Sequence, residues 1–191
     1  MKQSYDFNIK QIKDLSEEEK NSRQKSLDLF NKSGFPSKQA EDWKFTDLNL
    51  ILSKNFKSIS NKINFEPTKE LETIKDFEHN YIFLNNGKII STNFFYEEAN
   101  KILIKDFDLK KLTNFHPVNT LTLLNNALSS GGFILEITKN YKLKKPLVIY
   151  NYFSKNLENK ILNNKNSIKL NQGSELTLID YNDDYVERNF I

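Results

Sequence analysis

Few side chains in this sequence have the types and spacing that catalysis requires. The two histidines, His79 and His116, lie in loop-like stretches with no acid or nucleophile at the spacing of a triad or a metal site. The chain has no cysteine, which excludes disulfides, thiolate metal ligands and a cysteine nucleophile. We therefore expect both histidines to have surface or capping roles, and we expect no enzyme activity.

The acidic residues form two weak candidate arrangements. Asp180, Asp183 and Asp184 could gather a cation, but three acids in a turn without further ligands are typical of a solvated surface. An alternative function, a carbohydrate-active enzyme built on a β-solenoid, would need two carboxylates paired on one strand face. Glu136 and Asp180 are the acids within the strongest predicted strands, and nothing in the sequence pairs them.

Basic residues do not concentrate in one place. The net charge of +3 comes from 28 basic and 25 acidic residues spread along the chain. Lys142, Lys144 and Lys145 form one cluster beside a predicted strand, and we interpret them as protection of an exposed sheet edge. A second alternative, a module that binds single-stranded nucleic acid by stacking bases on Phe and Tyr, would need a basic face that this distribution does not provide.

The bulk properties predict a soluble cytosolic protein. A chain of 191 residues is long enough for one large domain, or for a domain with a smaller lobe. No apolar run approaches the roughly 20 residues of a membrane span. The N-terminal sequence MKQSYDFNIKQIKDL lacks the unbroken apolar core of a secretory signal.

The first elements of the chain are predicted to be helical. In LSEEEKNSRQKSLDLFNKSG, Ser16 is a candidate N-cap, Glu19 completes a capping box, and Gly34 follows the last turn. Ser37 can cap a second helix, and a further helical stretch is predicted to reach about Phe56. Residues 57 to 80 are polar and are predicted to form loop and short helix.

The rest of the chain is predicted to be mostly strands. YIFLNNGKIIS predicts a hairpin that turns at Asn86-Gly87, a short strand follows near residues 102–104, and a helix begins after Pro117. Closely spaced strands without intervening helices then indicate a sandwich, a barrel or a solenoid. We expect inward positions for the following apolar residues: Ile168, Leu170, Leu176 and Leu178.

The single tryptophan, Trp43, lies in GFPSKQAEDWKFTDLNLIL, behind a Gly-Phe-Pro turn. An indole can bury its ring and still donate a hydrogen bond, so a packing role on a helix face would explain it. We predict that Trp43 is mostly buried with Phe45 or Leu48 beside it, and that it anchors the N-terminal helices.

This stretch also resembles the N-terminal signature of the SufB/SufD family of iron–sulfur cluster assembly proteins, most closely its SufD branch. The matching positions are Gly34, Phe35, Pro36, Glu41, Trp43, Lys44, Phe45, Thr46 and Leu48. Three further stretches match in order: YIFLNNGKI, LTLLNNALSSGGFILEITKNYKLKKPLVIYNYF and NSIKLNQGSELTLIDYN. The similarity runs from about residue 16 to the end, with the N-terminal half of the family's length represented.

The resemblance implies an α+β fold with a small N-terminal helical region followed by the first turns of a β-helix. The expected divisions are a helical region at 1–80, a hairpin and connecting segment at 81–116, and the start of the β-helical core at 117–191, truncated at its C-terminal side. It also implies a non-catalytic scaffold subunit that acts with SufB and the SufC ATPase. The full complex would handle the iron–sulfur cluster, with no cofactor held by this chain.

The absence of cysteine fits SufD better than SufB, which carries the cysteine chemistry in this family. Members of the family are roughly twice as long, so the SufC-docking helices and the SufB–SufD interface would lie outside this sequence. No catalytic, cofactor-binding or metal-binding residue of the family can therefore be carried onto a position here. We expect the isolated chain to self-associate or aggregate through residues 175 to 191 and to fail to bind SufC.

Overall fold

A computed structural model describes residues 4–63, 72–107, 119–154, 157 and 159–183 as a mixed α+β protein. The helices are α1 (Glu17–Ser33), α2 (Leu48–Asn55) and α3 (Thr120–Leu128). The strands are β1 (Ser4–Asp6), β2 (Ser58–Ser60), β3 (Asn80–Asn85), β4 (Lys88–Asn93), β5 (Ile102–Asp106), β6 (Gly131–Ile137), β7 (Leu147–Tyr152), β8 (Asn164–Leu170) and β9 (Leu178–Asp183). Two short 3₁₀ turns, Ile9–Gln11 and Glu41–Trp43, precede α1 and α2.

Helix α1 begins and ends as its sequence predicts. The Glu19 backbone N–H donates to Ser16 Oγ at 3.3 Å, and the Ser16 N–H donates to Glu19 Oε2 at 2.9 Å. At the other end, Gly34 has a φ of 71°, and its N–H reaches the Phe30 carbonyl at 2.6 Å. The capping box and the glycine therefore confirm the predicted bounds.

The second predicted helix is shorter and starts later than expected. Residues after Ser37 form turns and the 3₁₀ segment, and α2 begins at Leu48 because Asp47 caps it by accepting from the Leu50 N–H at 2.9 Å. The helix ends at Asn55, one residue before Phe56. Since an aspartate favours a cap over a helix interior, Asp47 divides a stretch that we had expected to continue.

A first hydrophobic core joins the N-terminal helices to α3. Its buried members are Leu27, Phe30, Phe35, Leu48, Leu52, Phe56, Ile59, Leu124, Ala127, Leu128 and Ile161. The parallel pair β1–β2 borders this region, and three residues per strand are too few to give a periodic signal in the sequence. The division of the chain at residues 80 and 116 remains a prediction.

The predicted hairpin is confirmed, and it leads into the larger of the main sheets. β3 and β4 pair antiparallel around Asn86 and Gly87, whose φ angles of 48° and 78° are both positive. Both central residues of a type I′ turn need this conformation, which Asn and Gly adopt most readily. Strand β3 also pairs in parallel with β7.

Strands β6 to β9 alternate between two sheets, with orders β4-β3-β7-β9 and β5-β6-β8. β8 pairs in parallel with β6, and β9 pairs in parallel with β7. The connections stack as well, because the Asn140 N–H donates to the Gln172 carbonyl at 2.9 Å and the Leu143 N–H donates to the Glu175 carbonyl at 3.1 Å. The segment from β8 to β9 therefore lies alongside the segment from β6 to β7, and the described strands form no closed barrel.

The second core fills the space between these two sheets. Its buried members are Ile82, Leu84, Phe133, Leu135, Ile137, Tyr141, Leu147 and Ile149. Ile168 and Leu176 pack against this core as predicted, although each is only partly buried. Leu170 and Leu178 were also expected inward, but they are 49% and 43% exposed.

These two leucines are in register with buried residues of the neighbouring strands, but no further strand of the described residues covers them. Leu170 lies beside Ile137, and Leu178 lies beside Leu147, both of which are fully buried. β8 and β9 are the outermost strands of their sheets among the described residues, so no further strand covers them there.

No helix in the described part of the chain is long and apolar enough to cross a membrane.

Candidate functional site

The signature segment, defined here as residues 34–48, begins as a rigid turn against the first core. The Phe35 ring is 8% exposed and packs edge-on against Phe30, with the ring centroids 5.1 Å apart. The Pro36 carbonyl accepts a hydrogen bond from Asn49 Nδ2 at 3.2 Å. The Gly-Phe-Pro part of the motif thus fixes the exit from α1 and leaves no polar group free for chemistry.

The Trp-Lys-Phe part of the motif points partly outward. Trp43 was expected to be mostly buried but is only partly buried, against the first core, whose buried members include Leu48 at 4% exposure. Phe45 is 90% exposed, and the expectation that it might pack beside Trp43 is wrong. The Lys44 ammonium lies 5.2 Å from the Phe45 ring centroid and 3.1 Å from Glu41 Oε1.

This difference follows from the backbone of the segment. Because residues 41–43 form a 3₁₀ turn and not an α-helix, the positions after Trp43 do not continue a helical face. Trp43 therefore reaches the core from a turn, while Phe45 lies on the opposite, solvent side. The signature segment consists of a buried anchor followed by an exposed aromatic side chain.

His79 has a structural role that uses both ring nitrogens. Its Nδ1 lies 2.6 Å from the Phe77 carbonyl, and its Nε2 lies 2.7 Å from the Tyr150 hydroxyl. Since a carbonyl only accepts, Nδ1 must carry the hydrogen in a neutral ring, and Nε2 accepts from Tyr150. The Tyr150 hydroxyl in turn accepts from the Ile74 N–H at 2.9 Å. His116 lies outside the described residues.

The two strand carboxylates lie on different sheets. Glu136 is on β6, where it accepts from Lys169 Nζ at 2.9 Å and from Asn171 Nδ2 at 2.8 Å. These hydrogen bonds lower the pKa of Glu136, whereas a glycosidase acid needs a raised pKa. Asp180 is on β9 and accepts from Asn151 Nδ2 at 2.6 Å. The arrangement does not support the carbohydrate-active alternative.

The acidic turn lies only partly within the described residues. No group of three or more His, Cys, Asp or Glu side chains there could hold a metal ion. Asp183 ends β9, and Asp184 lies outside the described residues. A role for these acids in binding a cation remains without support.

The lysine cluster is neutralised by acids. Lys142 pairs with Glu175, Lys144 Nζ lies 3.6 Å from Glu98 Oε1, and Lys145 pairs with Glu78. These lysines lie in the connection between β6 and β7 and not on an edge strand, so our interpretation as edge protection is wrong. Charges that are paired in this way also give no support to a polyanion-binding surface.

One polar cluster was not anticipated from the sequence. Glu97 accepts hydrogen bonds from Asn80 Nδ2 and from the Tyr141 hydroxyl, both at 2.7 Å. It also accepts from the backbone N–H groups of Lys144 and Lys145, at 3.0 and 3.2 Å. Burial raises the pKa of Glu97, but these hydrogen bonds together outweigh burial and hold the pKa below its usual value.

Glu97 and His79 thus connect segments that are distant in the sequence. A family model described as the SufBD protein N-terminal region matches residues 2–102, which are 101 of the 191 residues. The chain belongs to the SufB/SufD family.

The match supports a role in Suf iron–sulfur cluster assembly. The matched residues, 2–102, contain α1, α2, the signature segment and the β3–β4 hairpin, while α3 and β6–β9 lie beyond them. A search of curated proteins found no match to the chain. The buried residues of the signature segment therefore lie within the region that the family model matches.

Proposed function

We propose that this SufB/SufD-family protein is a non-catalytic scaffold subunit of the Suf iron–sulfur cluster assembly complex, on the SufD branch. The observation that carries the proposal is the family match over residues 2–102, which includes the complete signature segment. The absence of cysteine favours SufD over SufB, because cluster chemistry in SufB depends on cysteine. The polar groups of the described residues, which tie backbone segments together, support a structural role.

We also propose that β6–β9 are the first turns of a β-helical core. Three features support this interpretation: strands alternate between two sheets, alternate strands pair in parallel, and the connecting segments stack on each other. In a solenoid each turn buries its apolar face against the next turn. The exposed positions of Leu170 and Leu178 on the inward face are those that another turn of such a core would cover.

The partners that we propose are SufB and the SufC ATPase, in the cytosol. The cluster would be handled by the assembled complex, and this chain would hold no cofactor by itself. The proposal concerns the assembled complex, so the protein is tested as the cell makes it.

The experiment is affinity purification of the protein tagged at its own chromosomal locus, followed by mass spectrometry. We expect SufB and SufC to be recovered in amounts comparable to the tagged protein. A Phe45→Ala variant, whose fold should be intact because Phe45 is 90% exposed, reports whether the exposed part of the signature segment contributes to recovery. Purification of the tagged protein without SufB and without SufC would contradict the proposal.

A further inference from the structure

A cleft lies where the start of α1, the start of β4 and the end of α3 meet. Its volume is about 420 Å³, and its polar lining includes Lys13, Glu19, Arg23, Lys88, Asp106 and Ser129. Ligand-binding clefts commonly measure a few hundred cubic ångströms, so this one could hold a small metabolite. It is separate from the signature segment.

A buried guanidinium group forms one wall of this cleft. Arg23 is 7% exposed, and its Nη1 donates to the Ala127 carbonyl at 3.1 Å and to the Ser129 carbonyl at 2.8 Å. Its Nε is buried and has no hydrogen-bond partner. The Ser129 side chain is 3% exposed, and its Oγ is likewise buried without a partner. Buried polar groups are nearly always paired, and both of these residues line the cleft.

The charges around the cleft point to an anion. Lys13 and Lys88 line it and form no ion pair with the described residues. Two acids, Glu19 and Asp106, also line the cleft and offset part of this positive charge. Burial lowers the pKa of Arg23, and the nearby Glu19 carboxylate opposes this effect only in part. Glu19 Oε2 also accepts hydrogen bonds from the N–H and hydroxyl groups of Ser16, at 2.9 and 2.7 Å.

A further cation lies close to Arg23. Burial, together with the positive charge of Arg23, lowers the pKa of Lys165 to about 8. Lys165 does not itself line the cleft, and its ammonium donates to Asn126 Oδ1. The glycines of the cleft need no ligand to explain them, because a Cβ at Gly131 would lie 2.6 Å from the Gly87 carbonyl oxygen.

We propose that this cleft binds a small phosphate-bearing molecule, with the phosphate held by Arg23, Ser129 and Lys88. A phosphate offers several acceptor oxygens and up to two negative charges, which suits a guanidinium, a hydroxyl and an ammonium donor. The cleft is larger than inorganic phosphate alone, so its natural ligand would carry an organic group. This inference does not depend on the proposed scaffold function.

A purely structural role accounts for only part of the arrangement. The two bonds from Arg23 Nη1 satisfy carbonyl groups at the end of α3, as a basic side chain often does at a helix C-terminus. That role leaves Nε and the Ser129 hydroxyl unpaired, and it does not require Lys88 in the lining of the same cleft. The structural explanation predicts no phosphate binding, so a binding experiment separates the two.

The test is a titration of the ¹⁵N-labelled protein with inorganic phosphate at constant ionic strength, followed by amide chemical shifts. We expect saturable shifts at Ser129, Ser130 and Gly131, and a shift of the Arg23 Nε–H signal. Lys88→Gln should weaken binding about three- to tenfold, as loss of one charged contact does. The matched control is Lys139→Gln, an exposed lysine beyond the opposite end of β6, which should leave the affinity unchanged.

Lys88 and Lys139 are both exposed, so neither substitution should prevent folding. A wild-type protein without saturable shifts, or with shifts away from the cleft, would overturn the proposal. Equal weakening in Lys88→Gln and Lys139→Gln would also overturn it, because that result means nonspecific attraction by the overall charge. Pyrophosphate and citrate, titrated in the same way, then distinguish phosphate recognition from binding of any anion.

Discussion

Arg23 of α1 donates a hydrogen bond to the Ser129 carbonyl at 2.8 Å, although the two residues are 106 positions apart in the sequence. This bond, with its companion to Ala127, ties the first helix to the end of α3. It therefore joins the N-terminal region that carries the family match to the segment that leads into the stacked strands.

The first prediction concerns this connection. Arg23→Ala should lower the free energy of unfolding by about 2–4 kcal/mol, because two buried carbonyl groups lose a charged donor. Lys20→Ala, which removes an exposed ion pair with Glu17, should change the free energy by less than about 1 kcal/mol. Urea denaturation followed by circular dichroism measures both values. Equal effects of the two substitutions would contradict a special role for Arg23.

The second prediction concerns the dependence of stability on pH. The pKa of Glu97 is lower in the folded protein than its usual value of 4.5, so the ionised carboxylate stabilises the fold above that pH. This contribution is lost as the pH falls from about 4.5 through the folded-state pKa, because the unfolded chain binds a proton at Glu97 more readily than the folded protein does.

Glu97→Gln should therefore lower the melting temperature at pH 7 and weaken the loss of stability between pH 5 and pH 3. Glutamine keeps the shape but accepts fewer hydrogen bonds than the carboxylate does. Glu17→Gln, at a surface ion pair, is the matched control and should leave the pH profile close to that of the wild type. A wild-type pH profile in Glu97→Gln would show that the Glu97 cluster does not stabilise the fold.

The third prediction separates the buried and exposed parts of the signature segment. Leu48→Ala should cost about 2–5 kcal/mol of unfolding free energy, since Leu48 is 4% exposed in the first core. Phe45→Ala should change it by less than about 0.5 kcal/mol, because the ring is 90% exposed. Chemical denaturation of both variants checks the contrast. A large loss in Phe45→Ala would mean that this side chain packs against something in solution.

The sequence predicted local features well because single residues determine them. Ser16 and Gly34 bound α1, and Asn86-Gly87 turns the hairpin, since each position needs a particular side chain or backbone conformation. The alternation of apolar residues likewise identified β6 as a strand. These signals act over a few residues and do not depend on the rest of the fold.

The parts that the sequence could not predict depend on distant contacts. Glu97 meets Tyr141 across 44 positions, and no local pattern marks that pair. Leu170 and Leu178 have the correct register for the inward face, but their exposure depends on whether another strand covers them. Arg23 Nε and Ser129 Oγ likewise become buried without a partner only when α1 and α3 pack together.

The fourth prediction is that this chain holds no iron–sulfur cluster by itself. Cysteine thiolates are the usual ligands of such clusters, and the sequence contains none. Anaerobic reconstitution with ferrous iron and sulfide, followed by desalting, should leave no absorbance in the visible region. A stable and stoichiometric cluster on the purified chain would contradict the proposal that the assembled complex handles it.

The central claim is that this SufB/SufD-family protein supports iron–sulfur cluster assembly without performing catalysis. The most direct measurement is the activity of an iron–sulfur enzyme, such as aconitase, in extracts of cells depleted of the protein. We predict that the activity falls while the amount of enzyme protein is unchanged, and that iron and sulfide added anaerobically to the extract restore it. Full aconitase activity after depletion, or a loss that reconstitution does not restore, would contradict the account.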